Sequence, residues 1–267
     1  MLWKRVLSAA IGIPVLLFLM YRGSIPLLIF IIFLAVTGLF ELQRIYKRMN
    51  CQVPRLLMYG SALLFPLIAY LAPYGDEGSY LFTGTVLFLL LHLMLLVFAY
   101  PRFGTGELAA SFLGSFYISV LLSYLILIRK IIPSGFEYLL LVFLLTWACD
   151  IGAYFVGSIW GRHPLCPAIS PNKTLEGSAG GLLFSLGVAA LFQLLGPKLF
   201  SFPMMLLLGG LTGCVVQLGD LVESALKRMG DIKDSGDLIP GHGGILDRFD
   251  SILFSAPVAY FFIKLLL

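Results

Sequence analysis

Charge is what this chain has least of: Asp, Glu, Lys and Arg make up 12% of its 267 residues, against 60% hydrophobic side chains. A soluble domain carries roughly 25% charged residues, so a single water-facing globule is excluded and a polytopic membrane protein remains. Cysteine is also scarce. Cys51, Cys149, Cys166 and Cys214 are scattered, with no CxxC and no Cys/His spacing for zinc, which leaves neither a disulfide framework nor a structural metal site. No small-x-small cleavage site follows the basic, apolar opening MLWKRVLSAAIGIPVLLFLMYRG, so this stretch reads as a retained first span. A GxxxxGK[ST] phosphate loop is absent, as are internal repeats and low-complexity tracts.

What the chain has in quantity is apolar runs. A bilayer core about 30 Å thick needs roughly 20 mainly apolar residues per spanning helix. Nine stretches qualify, approximately 5–22, 24–43, 55–73, 80–99, 107–128, 137–159, 177–196, 200–226 and 245–267. The breaks between them carry Pro, Gly or charge. The expected fold is all-α, a polytopic integral membrane protein of about nine transmembrane helices. Residues 1–136 form an N-terminal membrane scaffold of five spans, nearly free of buried charge. Residues 137–267 form a catalytic membrane region of four spans with two polar loops.

With the N-terminus inside, the loops on its side hold thirteen of the eighteen Lys and Arg residues. Cytoplasmic loops carry that excess, so the N-terminus and both polar loops, 160–176 and 227–244, are expected in the cytoplasm. Gly157-xxx-Gly161, Gly177-xxx-Gly181 and Gly209-xxx-Gly213 put small residues on one helical face, which permits close helix approach in lipid. All three lie in the last four spans, so the tightest packing is expected there.

One stretch breaks the apolar pattern. Asp220 to Asp250 holds seven of the fourteen acids and four of the eighteen Lys and Arg residues, and charge beside apolar spans marks function. Asp220, Glu223, Ser224 and Lys227 share one helical face; intrahelical pairing of Glu223 with Lys227 is the plainer account of that pair. In Gly241-His242-Gly243-Gly244, glycines let the backbone approach a ligand closely. Asp247 and Asp250 again share a face. Mg²⁺ takes a few carboxylates plus phosphate oxygens, so Asp220 and Asp247 are the first choice as ligands, with Glu223 and Asp250 beside them. A structural Asp–Arg network between the last two spans is the alternative. Upstream, Asp150 lies inside an apolar run, where a carboxylate must be neutral, paired or cation-bound. The prolines of GRHPLCPAISPNKTLEGSAGG rule out a regular helix, and Asn172-Lys173-Thr174 reads as a loop leading to a helix N-terminus, a ready anion site. Acids, bases and a glycine turn at a membrane boundary point to metal-assisted chemistry on phosphate.

The run S-A-L-K-R, four residues, K-D-S-G, then P-G-H-G-G-I-L-D-R-F-D, from Ser224 to Asp250, resembles the signature of the phosphatidate cytidylyltransferases, or CDP-diacylglycerol synthases. The upstream DxxAY, ISPxKTxEG and QxGDLxES elements extend the resemblance over roughly residues 147–250. One departure is Ile151, which stands where many relatives carry Ser or Thr after the aspartate and weakens the assignment of Asp150. The resemblance implies a nucleotidyltransferase of phospholipid biosynthesis that converts CTP and phosphatidate to CDP-diacylglycerol and pyrophosphate. It also implies Mg²⁺, a second, monovalent cation such as K⁺, and a homodimer in the lipid bilayer, with no nucleic-acid partner. In that reading Asp220, Asp247, Lys227, Arg248 and His242 act in catalysis. Asn172, Lys173, Thr174, Ser224, Arg228, Lys233, Gly243 and Gly244 bind substrate, and His242 protonates or holds the leaving pyrophosphate. A CTP-dependent polyprenol kinase is the nearest rival. An ion-coupled transporter is a weaker one, because the acids cluster at one mouth.

Overall fold

A computed structural model describes residues 2–236 and 243–267, with side chains from Ser8 onward. Each of the nine apolar stretches forms a helical segment: α1 (Leu2–Arg22), α2 (Ser24–Arg48), α3 (Arg55–Leu71), α4 (Glu77–Phe98), then α5 (Thr105–Ser115) and α6 (Leu121–Lys130) joined through a π-helical turn at Phe116–Val120. The series continues with α7 (Gly135–Trp160), α8 (Leu175–Leu195), α9 (Phe202–Met229) and α10 (Leu246–Leu266). Seven spans among the described residues are long and apolar enough to cross a membrane, Thr105–Lys130 counting as one. Arg55–Leu71 is a shorter apolar helix, and the part of α1 whose side chains are described, Ser8–Arg22, is apolar as well. At 1.5 Å per residue, the 17 residues of α3 reach about 26 Å, slightly less than the hydrocarbon thickness. The architecture is thus an all-α polytopic membrane protein.

The chain divides into two compact units, Met1–Lys130 with Met229–Arg248, and Ile131–Arg228 with Phe249–Leu267. The polar stretch that the sequence places wholly with the last four spans is therefore shared. Asp220 to Arg228 belongs to the second unit and Met229–Arg248 to the first.

In the first unit, α2 and α3 pack on the Thr105–Lys130 span. Ser61 and Ser119 meet at 2.9 Å, so the hydroxyl exposed by the π-helical turn is satisfied inside the core. His92 is a core histidine: its Nδ1 lies 2.9 Å from the Phe88 carbonyl and its Nε2 3.1 Å from Ser111 Oγ. Most of α4 faces outward, with Leu87, Leu90, Met94 and Val97 exposed, as a lipid-facing helix requires. Arg129 donates to the carbonyls of Met20 and Tyr21 at 2.8 and 2.9 Å. Lys130 Nζ donates to those of Ala69, Tyr70 and Ala72 at 3.2, 3.0 and 2.6 Å. These cations satisfy the orphan carbonyls at the ends of α1 and α3.

In the second unit, glycine brings backbones together as the sequence spacing predicts. A Cβ on Gly177 would stand 2.8 Å from the Ala153 carbonyl, and one on Gly209 2.7 Å from Ala189 Cβ, so α7 with α8, and α8 with α9, pack at distances no side chain permits. Thr146 Oγ1 and Ser255 Oγ, 3.0 Å apart, tie α7 to α10. The proline-rich segment between α7 and α8 folds as an antiparallel hairpin of β1 (Pro164–Cys166) and β2 (Ser170–Thr174), with Cys166 opposite Ser170.

Replacing Gly209 with Leu should lower the thermal midpoint of the detergent-solubilised protein. The overpacking cost is about 1–3 kcal/mol, and an unchanged midpoint would contradict the close approach of α8 and α9.

Candidate active site

The site grows from the C-terminal third of α9. Helical spacing aligns Asp220, Glu223, Ser224 and Lys227, and α10 presents Asp250 in its first turns. A Cβ on Gly219 would stand 2.7 Å from the carbonyl of Asp250, so the bare backbone of Gly219 is what lets the two helices meet here. The outcome is a trio of carboxylates: Asp220, Glu223 and Asp250 each offer an oxygen within 4.8 Å of the others. Glu223 and Asp250 are 1% and 8% exposed. Three anions in so small and dry a volume repel strongly.

Two lysines answer part of that charge. Lys173 Nζ lies 2.7 Å from Asp220 Oδ2, and Lys227 Nζ lies 2.5 Å from Glu223 Oε2. Ser224 Oγ is 3.4 Å from Asp220 Oδ1, and the backbone N–H of Ser251 donates to Asp250 Oδ1 at 2.7 Å. The plainer reading of Glu223 and Lys227, an intrahelical pair, therefore holds alongside the trio. Asp150 on α7 is exposed and adds to the negative field at Asp250, as Asp220 does. Among the described residues, a hard, all-oxygen donor set of this kind fits a divalent cation such as Mg²⁺.

The hairpin and α8 hold the basic side of the site. Thr174 Oγ1 caps α8 by accepting the N–H of Gly177 at 3.1 Å. Glu176 accepts from the backbone N–H groups of Arg162 and His163 at 3.0 and 3.2 Å, and pairs with His163 Nδ1 at 2.5 Å. Its carboxylate thus pins the start of the hairpin to the first turn of α8. Arg228 Nε donates to the Ile169 carbonyl at 3.2 Å, fastening the end of α9 to the same hairpin. Asn172 is exposed on β2 next to Lys173. Gln217, one turn before Asp220, donates to the carbonyls of Ser178 and Gly213 at 3.1 and 2.9 Å and accepts from Ser178 Oγ. With both halves of its amide used, it fixes α8 against α9 and hence Lys173 against Asp220.

The remaining sequence-predicted residues belong to the first unit. One oxygen of Asp247, Oδ2, accepts from the N–H and Oγ of Ser235 at 3.0 and 2.9 Å and from the N–H of Gly244 at 2.8 Å. Gly243 has φ +82°, the left-handed region, and a Cβ there would stand 2.9 Å from the same oxygen, so glycine suits it on both counts. Lys233 and Arg248 are exposed. His242 and Gly241 lie outside the described residues. The carboxylates that the described structure gathers are therefore Asp220, Glu223 and Asp250, while Asp247 is grouped by its own contacts with Ser235 and Gly244. Sequence reading gave no role to Glu176 or Gln217, although both sit inside the ISPxKTxEG and QxGDLxES runs.

A sequence profile of the Cytidylyltransferase family matches residues 3–266. The chain belongs to that family. It is 38% identical over 262 residues to the phosphatidate cytidylyltransferase of Bacillus subtilis, covering 98% of this chain and 97% of the relative. It is also 35% identical over 258 residues to the enzyme of the same name from Staphylococcus epidermidis, covering 95% and 96%. Membership makes this chain a nucleotidyltransferase, as the motif resemblance implies. The match includes the first spans, upstream of the motif run over roughly residues 147–250.

If the trio holds a cation, relieving its repulsion should stabilise the cation-free protein. Asp250→Asn should raise the thermal midpoint in chelator while abolishing stabilisation by Mg²⁺. For the unsubstituted chain that stabilisation is about 2.7 kcal/mol at a hundredfold excess over Kd. Equal responses of the two proteins to Mg²⁺ would rule the trio out as the cation site.

Proposed function

We propose that this family member joins CTP to phosphatidate, releasing pyrophosphate and forming CDP-diacylglycerol. The observation that carries the reading is the clustering of three carboxylates with Lys173 and Lys227, in a chain related over nearly its whole length to enzymes named phosphatidate cytidylyltransferase. The excess of Lys and Arg in the loops on the N-terminal side supports a cytoplasmic N-terminus and site.

An oxygen of the lipid phosphate forms a bond to the α-phosphorus of CTP as the bond from that phosphorus to the bridging oxygen breaks, and pyrophosphate leaves. The attacking monoester has a second pKa near 6, so it is ionised at neutral pH and needs no strong general base. Asp220, Glu223 and Asp250 would hold Mg²⁺, with Asp150 and Asp247 as the further acids that the family motifs supply. Bound there, the ion supplies Lewis-acid neutralisation of phosphoryl oxygens. Lys173, which balances Asp220, and Lys227, which balances Glu223, can be shared with substrate phosphates. Arg228, Lys233 and Arg248 are exposed and reach for the triphosphate as it arrives from water. Asn172, Ser224, Gly243 and Gly244 offer polar side chains and bare backbone to the nucleotide. His242 holds or protonates the departing pyrophosphate. A monovalent cation such as K⁺ and a homodimeric assembly complete the reading.

Purified protein given labelled CTP, phosphatidate and Mg²⁺ should yield pyrophosphate and CDP-diacylglycerol in equal amounts. Asp220→Asn and Asp250→Asn should each lower kcat by about 100-fold or more, the scale of losing one charge-stabilising group. Release of CDP with a phosphorylated lipid would instead identify a kinase.

A further inference from the structure

Glu41 is a buried acid in the N-terminal spans, which the sequence reads as nearly free of buried charge. It sits on α2, 3% exposed, and its hydrogen-bond partners among the described residues, Ser235, Ile245 and Leu246, come from the distant polar stretch. Oε1 accepts the N–H of Ile245 and Oε2 that of Leu246, each at 2.8 Å. Oε2 also lies 2.9 Å from Ser235 Oγ, whose single hydroxyl hydrogen is shared with Asp247 Oδ2. A carboxylate so buried is costly unless donors surround it, and here three do.

Two features direct these contacts toward Asp247. Ile245 and Leu246 begin α10, where unpaired N–H groups and the positive end of the helix dipole favour an anion. Glu41 supplies that anion from another span, so this helix start is occupied and is not a phosphate site. Ser235 then connects the two acids, its Oγ lying 2.9 Å from both Glu41 Oε2 and Asp247 Oδ2. Gly236 and Gly244 make room: a Cβ on Gly236 would stand 2.6 Å from Glu41 Oε1, and one on Gly244 2.5 Å from Oε2. Every one of these residues lies in the first unit.

We propose that Glu41 is a positioning residue for the reaction: by holding the start of α10 and Ser235, it fixes the orientation of the Asp247 carboxylate. The inference rests on the reading that Asp247 serves nucleotidyl transfer. The proposed role runs through protein contacts, from Glu41 to Ser235 and the start of α10 and from there to Asp247.

The test is a double-mutant cycle on the full-length protein in detergent, with kcat, KM for CTP and thermal midpoint measured for Glu41→Gln, Ser235→Ala, Asp247→Asn and the two doubles with Asp247→Asn. Gln keeps the size of Glu but sets an NH₂ against one backbone donor. Glu41→Gln should lower kcat about 10- to 100-fold with KM for CTP changed less than about 3-fold, the signature of lost transition-state alignment. In the Asp247→Asn background the same change should cost less than about 2-fold, because residues acting through one another are not additive. Ser235→Ala, which leaves the contacts to Ile245 and Leu246 intact, should lower kcat about 3- to 10-fold with the same non-additivity, and it carries the test alone if Glu41→Gln does not fold. Wild-type turnover by Asp247→Asn would remove the role of Asp247 and the proposal with it. An impaired Asp247→Asn combined with a fully active Glu41→Gln, or with losses that add in full, would overturn the role of Glu41 alone. If Glu41→Gln does not fold, an unimpaired or fully additive Ser235→Ala overturns it in the same way.

Discussion

Three carboxylate oxygens within 4.8 Å of one another, two of them on almost fully buried side chains, are the constraint to which the rest of the second unit answers. Like charges this close in a medium of low dielectric are costly unless cations or a shared proton offset them. Lys173 and Lys227 supply two cations, and the hairpin that delivers Lys173 is itself held by Glu176, Thr174 and Arg228. The fold thus sets carboxylates and ammonium groups side by side at the end of α9.

Close approach in this region depends on backbone as much as on side chains. Gly219 lets α9 lie on the carbonyl of Asp250, and Gly177 lets α8 lie on α7. In lipid no hydrophobic force drives one apolar helix onto another, so contact rests on small residues and interhelical hydrogen bonds. Gln217 and Ser178, with the Thr146–Ser255 pair, provide those bonds. Packing and catalytic alignment therefore draw on the same residues.

Much of this was legible in the sequence. Apolar run length located all nine helical segments, because a bilayer imposes one length on every span. Glycine spacing located the tight packing of the last four spans, and the density of acids marked the stretch that supplies all three carboxylates of the trio. Less legible were features that depend on three-dimensional pairing. Prolines announced a break at 160–176 but not the hairpin that forms there, since strand pairing depends on which backbone groups face each other. Spacing offers Asp220, Asp247, Glu223 and Asp250 all as ligands, but spacing alone does not say that Asp220, Glu223 and Asp250 bring an oxygen each within 4.8 Å of one another. Glu41 shows the limit most clearly. It stands at the end of a span in the presumed scaffold, and only its contacts with Ser235, Ile245 and Leu246 reveal that the first unit holds part of the signature stretch.

The account turns on whether the trio at the ends of α9 and α10 holds a divalent ion. Diffraction at the manganese absorption edge, from crystals of the full chain grown with Mn²⁺ in place of Mg²⁺, addresses this directly. The account predicts an anomalous peak bonded to oxygens of Asp220 and Asp250, lost in the Asp220→Asn protein. A fully occupied peak elsewhere, with none at the trio, would contradict it.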